Sequence, residues 1–299
     1  MSTLRGSFTL YQLMRLRGQR IALYTLFAVA LSTLARTSGS EAACRCTAHL
    51  DSGMAGGTEK LVLLDCYYNN EWKRDAAGNL VRYHYVWQDS SDSGFSQLAT
   101  IITQAGAIVD TLCREPTLDA LHRASIYIIV DPDTPQETED PKYINQKAAE
   151  TITEWVMSGG VLVLFGNDKG NAEFEHLNQL ASRFGIRFNE DSRNRVTGRQ
   201  FEMGTFDKLP DHPVFKGVRR IFIKELSTLH VQEPARAVLS EGGDVIMAYA
   251  RYGKGAVFAV GDPWFYNEYM DERRLPPGYD NARAADNLFR WLLQFSSHP

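Results

Sequence analysis

Short, uninterrupted apolar runs alternate along this chain with segments whose apolar positions recur every three or four residues. The runs at 60–65, 107–112, 125–131, 161–165 and 256–260 have the length and composition of strands, and the last suits a strand covered on both faces. Between them, helical spacing predicts helices over 94–104, 118–123, 144–157 and 173–184, and a last helix beginning near Asn281. The helix over 144–157 puts Ile152, Trp155 and Val156 on one face and stops at Ser158-Gly159-Gly160. The last carries Ala284, Ala285, Leu288, Phe289, Leu292 and Leu293 at helical spacing, with Asn281 as its expected cap. Strands that alternate with helices are joined by parallel crossovers, so the predicted class is α/β with a doubly wound, mostly parallel sheet. From 186 to 250 the pattern shifts to short strands, clearest at 219–224 and 245–249, which predicts a small β-rich insertion before the chain returns to the sheet.

Three loops, after Asp65, Phe165 and Val260, are polar and aromatic. In open α/β sheets such loops converge at the carboxyl edge, where ligands bind. The connection at 67–93 is too long for an ordinary turn, and the one after Val260 is stiffened by Pro263, Pro276 and Pro277. The three loops offer Asp65, Tyr67, Asn69, Asn167, Asn171, Trp264, Tyr266 and Asn267 as ligand-binding side chains, and Asp168, Asp262 and Glu268 as carboxylates able to act as acid, base or nucleophile. Glu202 and Asn194 join the binding set. Carboxylates, carboxamides and aromatic faces suit a sugar, whose hydroxyls take paired polar partners and whose C–H faces stack on Trp or Tyr. Plain structural alternatives stand beside these roles: Asp65, Asp168 and Asp262 as turn or helix caps, and Trp264 as an apolar anchor. Asn194, Arg195 and Arg199 form a basic segment that pairs either with a ligand carboxylate or with Glu190 and Asp191 at the surface. The acidic run at 131–140 reads as a solvated face.

The composition, 44% apolar in 299 residues, furnishes a core for one large domain. At the N-terminus Arg5, Arg15, Arg17 and Arg20 precede an apolar run at 21–31 and small residues at Ser40, Ala42 and Ala43, the order of a secretory signal. The expected organisation is a signal peptide over 1–42, a linker over 43–57 and one α/β domain over 58–295, with an uncleaved anchor as the alternative. The destination is periplasmic or extracellular, and lipid attachment at Cys44 is a further alternative, opposed by Glu41. Without residues 1–42, which hold five Arg and one Glu, 27 basic and 35 acidic residues remain. That acidic balance argues against a nucleic-acid partner. Export permits disulfides among Cys44, Cys46, Cys66 and Cys113, and three pairings stay open. No spacing of zinc-ligand type occurs, so neither a metal nor a cofactor is expected.

The run Gly159-Gly160-Val161-Leu162-Val163-Leu164-Phe165-Gly166-Asn167-Asp168, followed by residues 173–178 and Phe184-Gly185-Ile186, resembles a glutamine-amidotransferase-like domain of unknown function. That domain occurs in bacterial pectin-utilisation proteins, including C-terminal fusions to unsaturated rhamnogalacturonyl hydrolases. Residues 194–198, 201–204, 261–269 and 275–281 extend the resemblance, which spans 58–295. It implies a class I glutamine-amidotransferase-like, flavodoxin-like sheet, ligands drawn from rhamnogalacturonan-type oligosaccharides, and association with a separate glycoside hydrolase. The hydrolase chemistry of the fusions resides in an (α/α)₆ barrel that this sequence does not include, so that activity is not carried over. Nor is amidotransferase chemistry, because the turn after the 161–165 strand reads Gly166-Asn167-Asp168 and offers no nucleophilic Cys. The expected function is therefore an exported protein that binds or processes pectin-like oligosaccharides. As an enzyme it would be a glycoside hydrolase using two of Asp168, Asp262 and Glu268; the alternative is a non-catalytic binding or scaffold module.

Overall fold

A computed structural model describes residues 59–270 and 272–298. The expected signal segment, the linker, Cys44 and Cys46 lie outside the described residues. After β1 (Lys60–Asp65) the chain makes a small hairpin, β2 (Trp72–Arg74) and β3 (Leu80–Arg82), inside what reads from the sequence as one unbroken loop. Helix α1 (Ser96–Gln104) then leads to β4 (Ala107–Leu112), α2 (Leu118–Leu121) to β5 (Ile126–Val130), and α3 (Gln146–Ser158) to β6 (Val161–Phe165). Beyond α4 (Phe174–Ala181) come β7 (Ile186–Phe188), the pair β8 (Thr205–Phe206) and β9 (Ile221–Phe222), then β10 (Leu229–Val231), β11 (Ala235–Glu241) and β12 (Asp244–Tyr252). The chain closes with β13 (Gly255–Val260), the one-turn α5 (Asn267–Met270) and α6 (Asn281–Leu293).

The main sheet runs β4-β1-β5-β6-β13-β12-β10-β7, with β11 paired along β12. The five strands predicted from apolar runs are β4, β1, β5, β6 and β13, and they lie parallel. The fold is thus α/β with a mostly parallel central sheet and helices on both faces. The segment 186–250 is β-rich as expected, but most of it is not set apart as an insertion. A two-residue turn at Gly253-Lys254, with Gly253 at φ +58, folds β12 back onto β13, and β10 and β7 follow antiparallel. Within that segment, only β8 and β9 form a small sheet of their own.

Successive residues of a strand point to opposite faces, so each run serves two cores. Val62, Leu64, Ile126, Ile128, Val161 and Val163 pack with Leu98 and Ile102 of α1 and with Leu288 and Phe289 of α6. Leu63, Tyr127, Ile129, Leu162 and Leu164 pack with Ile152 and Trp155 of α3 and Leu177 of α4. Cys66 and Cys113, one residue beyond β1 and β4, are disulfide-bonded. Asn281 does not cap α6; Asp280 holds that position. The Asn281 carboxamide is buried instead, accepting from Phe222 N and donating to Phe222 O, each at 2.9 Å, so it pairs with β9 as a neighbouring strand would.

Candidate functional site

Four parallel strands end at one edge of the sheet, and each delivers a polar side chain there: Asp65 at the end of β1, Asp131 after β5, Asn167 after β6 and Asp262 after β13. Gly261 sets the aim of Asp262. A Cβ at Gly261 would stand 1.7 Å from Ser227 O, so only glycine lets the backbone pass that close, and Ser227 N donates to Gly261 O at 3.1 Å.

Two tyrosine hydroxyls lie between two buried carboxyls. Tyr85 donates to Asp131 Oδ2 at 2.9 Å, and Asn167 Nδ2 donates to the same oxygen at 3.0 Å. Tyr266 donates to Asp262 Oδ2 at 3.2 Å, and the two hydroxyls are 3.5 Å apart. Asp131 Oδ1 and Asp262 Oδ1 are buried with no hydrogen-bond partner. Burial pushes both carboxyls well above the ordinary carboxylate range; for Asp131 nearby Glu137 adds to this, and for Asp262 Lys224 opposes it. Both therefore favour the protonated form, in which a carboxylic acid donates a hydrogen bond.

Above this layer opens a cleft of about 580 Å³. His84, Tyr85 and residues 91–93 form part of its wall, Asn167 and Asn171 another, and Lys224 and Glu225 a third. The loop after β13 adds Asp262, Tyr266, Glu268 and Arg274. Glu268 Oε2 is held by Arg274 Nε at 2.6 Å. His84, Tyr85 and Glu225 take positive φ, as does Asp131 beneath them. Left-handed backbone in non-glycine residues is costly, and its concentration here marks a functional region.

Of the residues singled out in the sequence, Asn167, Asn171, Asp262, Tyr266 and Glu268 come together in the cleft. The others do not line it. Asp65 caps the turn after its strand: Oδ2 accepts from the backbone N–H groups of Tyr67, Tyr68 and Asn69, and Oδ1 from Tyr127 at 2.7 Å. Tyr67 is half-buried against Tyr68, and Asn69 donates to Asp131 O at 2.9 Å from below the site. Both Asp168 oxygens accept hydrogen bonds, Oδ1 from Asn171 and Oδ2 from Ser192, so this carboxylate ties two loops together and does not line the cleft. Trp264 is wholly buried against Phe265 and cannot stack on a ligand. Asn267 is equally buried, its carboxamide donating to Asp89 O and Ser91 O and accepting from Gln97 N. Glu202 is exposed on a short 3-10 turn, and Asn194 contributes a carbonyl that accepts from Glu225 N.

The acidic run after β5 is not a solvated face at its start. Asp131 and Asp133 are buried, and burial pushes Asp133 up to about 7, with Glu71 and Glu137 adding to the rise. Burial also raises Asp65, to about 6. Asp131, Tyr85, His84, Lys224 and Arg274 are the site residues that sequence reasoning missed. The signal for Asp131 was present, because it ends a parallel strand as Asp65 does. Among the described residues, ligand atoms of Glu173, Glu175 and His176 also approach one another within 4.8 Å, but none of these lines the cleft, and Glu173 is engaged in capping His176 N.

Fold and site together define a doubly wound α/β protein with a polar cleft at the carboxyl edge of its sheet, where such sheets take ligands. The chain belongs to the family described as "Domain of unknown function (DUF4350)", whose model matches residues 88–289 and so includes Asp131, Asn167, Asp262 and Tyr266. No curated protein matches it by sequence. Among solved structures it is similar to the mmIFT52 N-terminal domain, at 19% identity and a TM-score of 0.59, over 78% of this chain and 97% of that one. It is also similar to the cytoplasmic protein STM3548 from Salmonella typhimurium, at 18% identity and a TM-score of 0.52, over 80% of this chain and 100% of that one. Cytoplasmic protein STM1381 from Salmonella typhimurium LT2 matches at 15% identity and a TM-score of 0.52, over 80% and 100%. These likenesses establish a shared fold. No helix of the described residues is long and apolar enough to cross a membrane.

Proposed function

We propose that the cleft binds an oligosaccharide, of the pectin-like class implied by the amidotransferase-like resemblance, in an exported protein. The observation that carries this reading is the pair of buried carboxyls, Asp131 and Asp262, each with one unpartnered oxygen and linked through the Tyr85 and Tyr266 hydroxyls. An unpaired buried polar atom costs about 1–3 kcal/mol. A hydroxylated ligand reaching Asp262 would recover part of that cost. Asn167, Asn171, Glu225 and Lys224 add donors and acceptors around the same space, which matches the dense hydroxyls of a sugar.

A second reading, glycoside hydrolysis, is favoured by the place of Asp262 at the cleft floor, where burial pushes its carboxyl above the ordinary carboxylate range, the direction a general acid requires. Of the three carboxylates proposed from sequence, Asp262 and Glu268 remain to make the pair. Glu268 is engaged by Arg274 at 2.6 Å, so it would have to exchange that partner to act on water or sugar. Binding without turnover needs no such rearrangement and is the reading preferred. The two described cysteines are joined in a disulfide and leave no thiol for amidotransferase chemistry.

The test is a thermal-shift screen against uronate-containing and rhamnose-containing oligosaccharides, with product analysis of every mixture. Ligand at a hundredfold excess over Kd should stabilise the fold by about 2.7 kcal/mol. A shift without product supports binding, and a shift with product that Asp262→Asn abolishes supports the hydrolase. The absence of a shift with every sugar overturns both.

A further inference from the structure

A second pocket, of about 330 Å³, adjoins the cleft and shares Lys224 and Arg274 with it. Arg199 and Arg273 complete four cations around it, and among the described residues no carboxylate lines it. The described acids that pair with Lys224 and Arg274, one of which also reaches Arg273, lie on the cleft side of the boundary. Glu225 holds Lys224 at 2.9 Å, Glu268 and Asp92 hold Arg274 at 2.6 Å each, and Asp92 also reaches Arg273 at 3.2 Å. Glu225, Glu268 and Asp92 all line the cleft. Among the described residues, the acids thus lie in the cleft and the pocket beside it is lined by cations, two of them shared with the cleft. Arg199 makes no ion pair with a described residue, so its guanidinium is available.

The remaining pocket wall is Val196, Gly198 and three aromatic residues. Phe222 packs edge-on against Tyr269 at 4.9 Å and against Phe201 at 5.7 Å between ring centres. Phe222 and Tyr269 are buried, so half-buried Phe201 is the ring that can offer a face to the C–H side of a sugar, and guanidinium forks take a carboxylate in bidentate geometry. Both features in one pocket point to one chemical group, a sugar ring that carries an anion.

We propose that this pocket holds a uronate residue of the oligosaccharide whose neighbouring, neutral residue lies in the cleft. The assignment rests on reading the cleft as a sugar site. It makes the ligand a mixed oligosaccharide of acidic and neutral residues and fixes its direction, with the uronate towards Arg199 and Arg273 and the neutral residue over Asp262. Of the basic segment at 194–199, Arg199 is the residue that reaches the pocket; Asn194 and Arg195 do not line it.

The experiment compares binding of an oligosaccharide of alternating galacturonate and rhamnose with that of its fully methyl-esterified form, for the wild type and for Arg199→Gln. The acidic form should bind at least about tenfold tighter to the wild type at low salt, as a charge-assisted hydrogen-bond pair would give. Arg199→Gln should remove most of that preference and leave affinity for the esterified form unchanged. Equal affinity for the two forms, or a variant that weakens both alike, overturns the assignment while leaving the cleft reading intact. Failure of either form to bind, with Asp262→Asn also silent, sinks the cleft reading. A second measurement then judges the pocket by itself: side-chain Nε–H signals of Arg199 and Arg273 followed by NMR during titration with galacturonate, galactose and inorganic sulfate. Movement with galacturonate alone sustains the uronate site. No movement, or equal movement with sulfate, overturns it.

Discussion

Tyr85 donates a 2.9 Å hydrogen bond to Asp131, joining the loop after β3 to the end of β5 across 46 residues of sequence. The same phenol stands 3.5 Å from the Tyr266 hydroxyl, which donates to Asp262. One chain of hydroxyls thus connects the two buried carboxyls of the site. Tyr85→Phe keeps the ring that packs on Phe95 and Tyr266 but leaves Asp131 with Asn167 as its side-chain donor. The variant should lose about 1–3 kcal/mol of stability in urea denaturation and most of its response to oligosaccharide. A variant as stable and as responsive as the wild type would show that the bond contributes nothing to either.

The pH dependence of folding follows from Asp133, which burial pushes up to about 7. Unfolded, the same carboxyl titrates near 3.9. Between these values the folded protein holds a proton that the unfolded chain has released, so this group's contribution is intact below about pH 4 and is lost as pH rises to about 7. Asp133→Asn removes the titration while its amide oxygen can still accept from Asn70 N. Relative to the wild type, the variant should gain on the order of 4 kcal/mol across that window. Urea midpoints taken at intervals between about pH 4 and 8 measure it, and a difference that stays flat with pH would refute the assignment.

Asn267 is a structural residue, and its replacement should register in stability. Its carboxamide joins α5 to the carbonyls of Asp89 and Ser91 and to the first turn of α1. Asn267→Ala leaves these buried groups unpaired at about 1–3 kcal/mol each, so the cooperative melting temperature should fall by several degrees even without ligand. A wild-type melt together with lost sugar binding would instead return Asn267 to the ligand site.

The Cys66–Cys113 disulfide closes a loop with a sequence separation of 47. Constraining the unfolded chain over that length is worth about 4 kcal/mol in the loop-entropy account. Comparing denaturation of the wild type with the Cys66→Ser, Cys113→Ser double variant, both without reductant, tests this value. The loop carries the β2–β3 hairpin and Tyr85, so the double variant should also loosen the cleft.

Gly261→Ala places a methyl group against Ser227 O, where 1.7 Å is available. The neighbour is backbone and cannot swing aside, so the cost should be about 3 kcal/mol, at the upper end of overpacking effects. The displaced segment carries Asp262, so ligand response should fall with stability. Unchanged melting and binding would show that the β13 end is more pliant than its packing indicates.

Much of the sheet was legible because doubly covered parallel strands are apolar along their length, as β5, β6 and β13 are, while β1 and the edge strand β4 keep apolar runs broken by Lys60, Asp65, Asp110 and Thr111. Asp262 and Asn167 were legible as well, since the ends of such strands bring polar groups to one edge. Asp131 was not, because the residues after it, rich in Pro, Asp and Glu, have the composition of a solvated turn. What buries it is Tyr85, delivered from a loop far away in sequence. Trp264 and Asn267 show the converse, since polar and aromatic residues in one loop carry no periodicity to say which face the core and which face the cleft.

The amino-acid sequence by itself determined the alternation of strands and helices, the parallel sheet and the edge at which its polar groups gather, because periodicity and turn residues act over a few positions. The tertiary structure alone decided that the segment 186–250 extends the sheet, that Cys66 pairs with Cys113, and that Tyr85 bonds to Asp131. Each of these is a contact between segments distant in the chain. Such contacts are selected by the packing of the whole domain, and no local pattern records them.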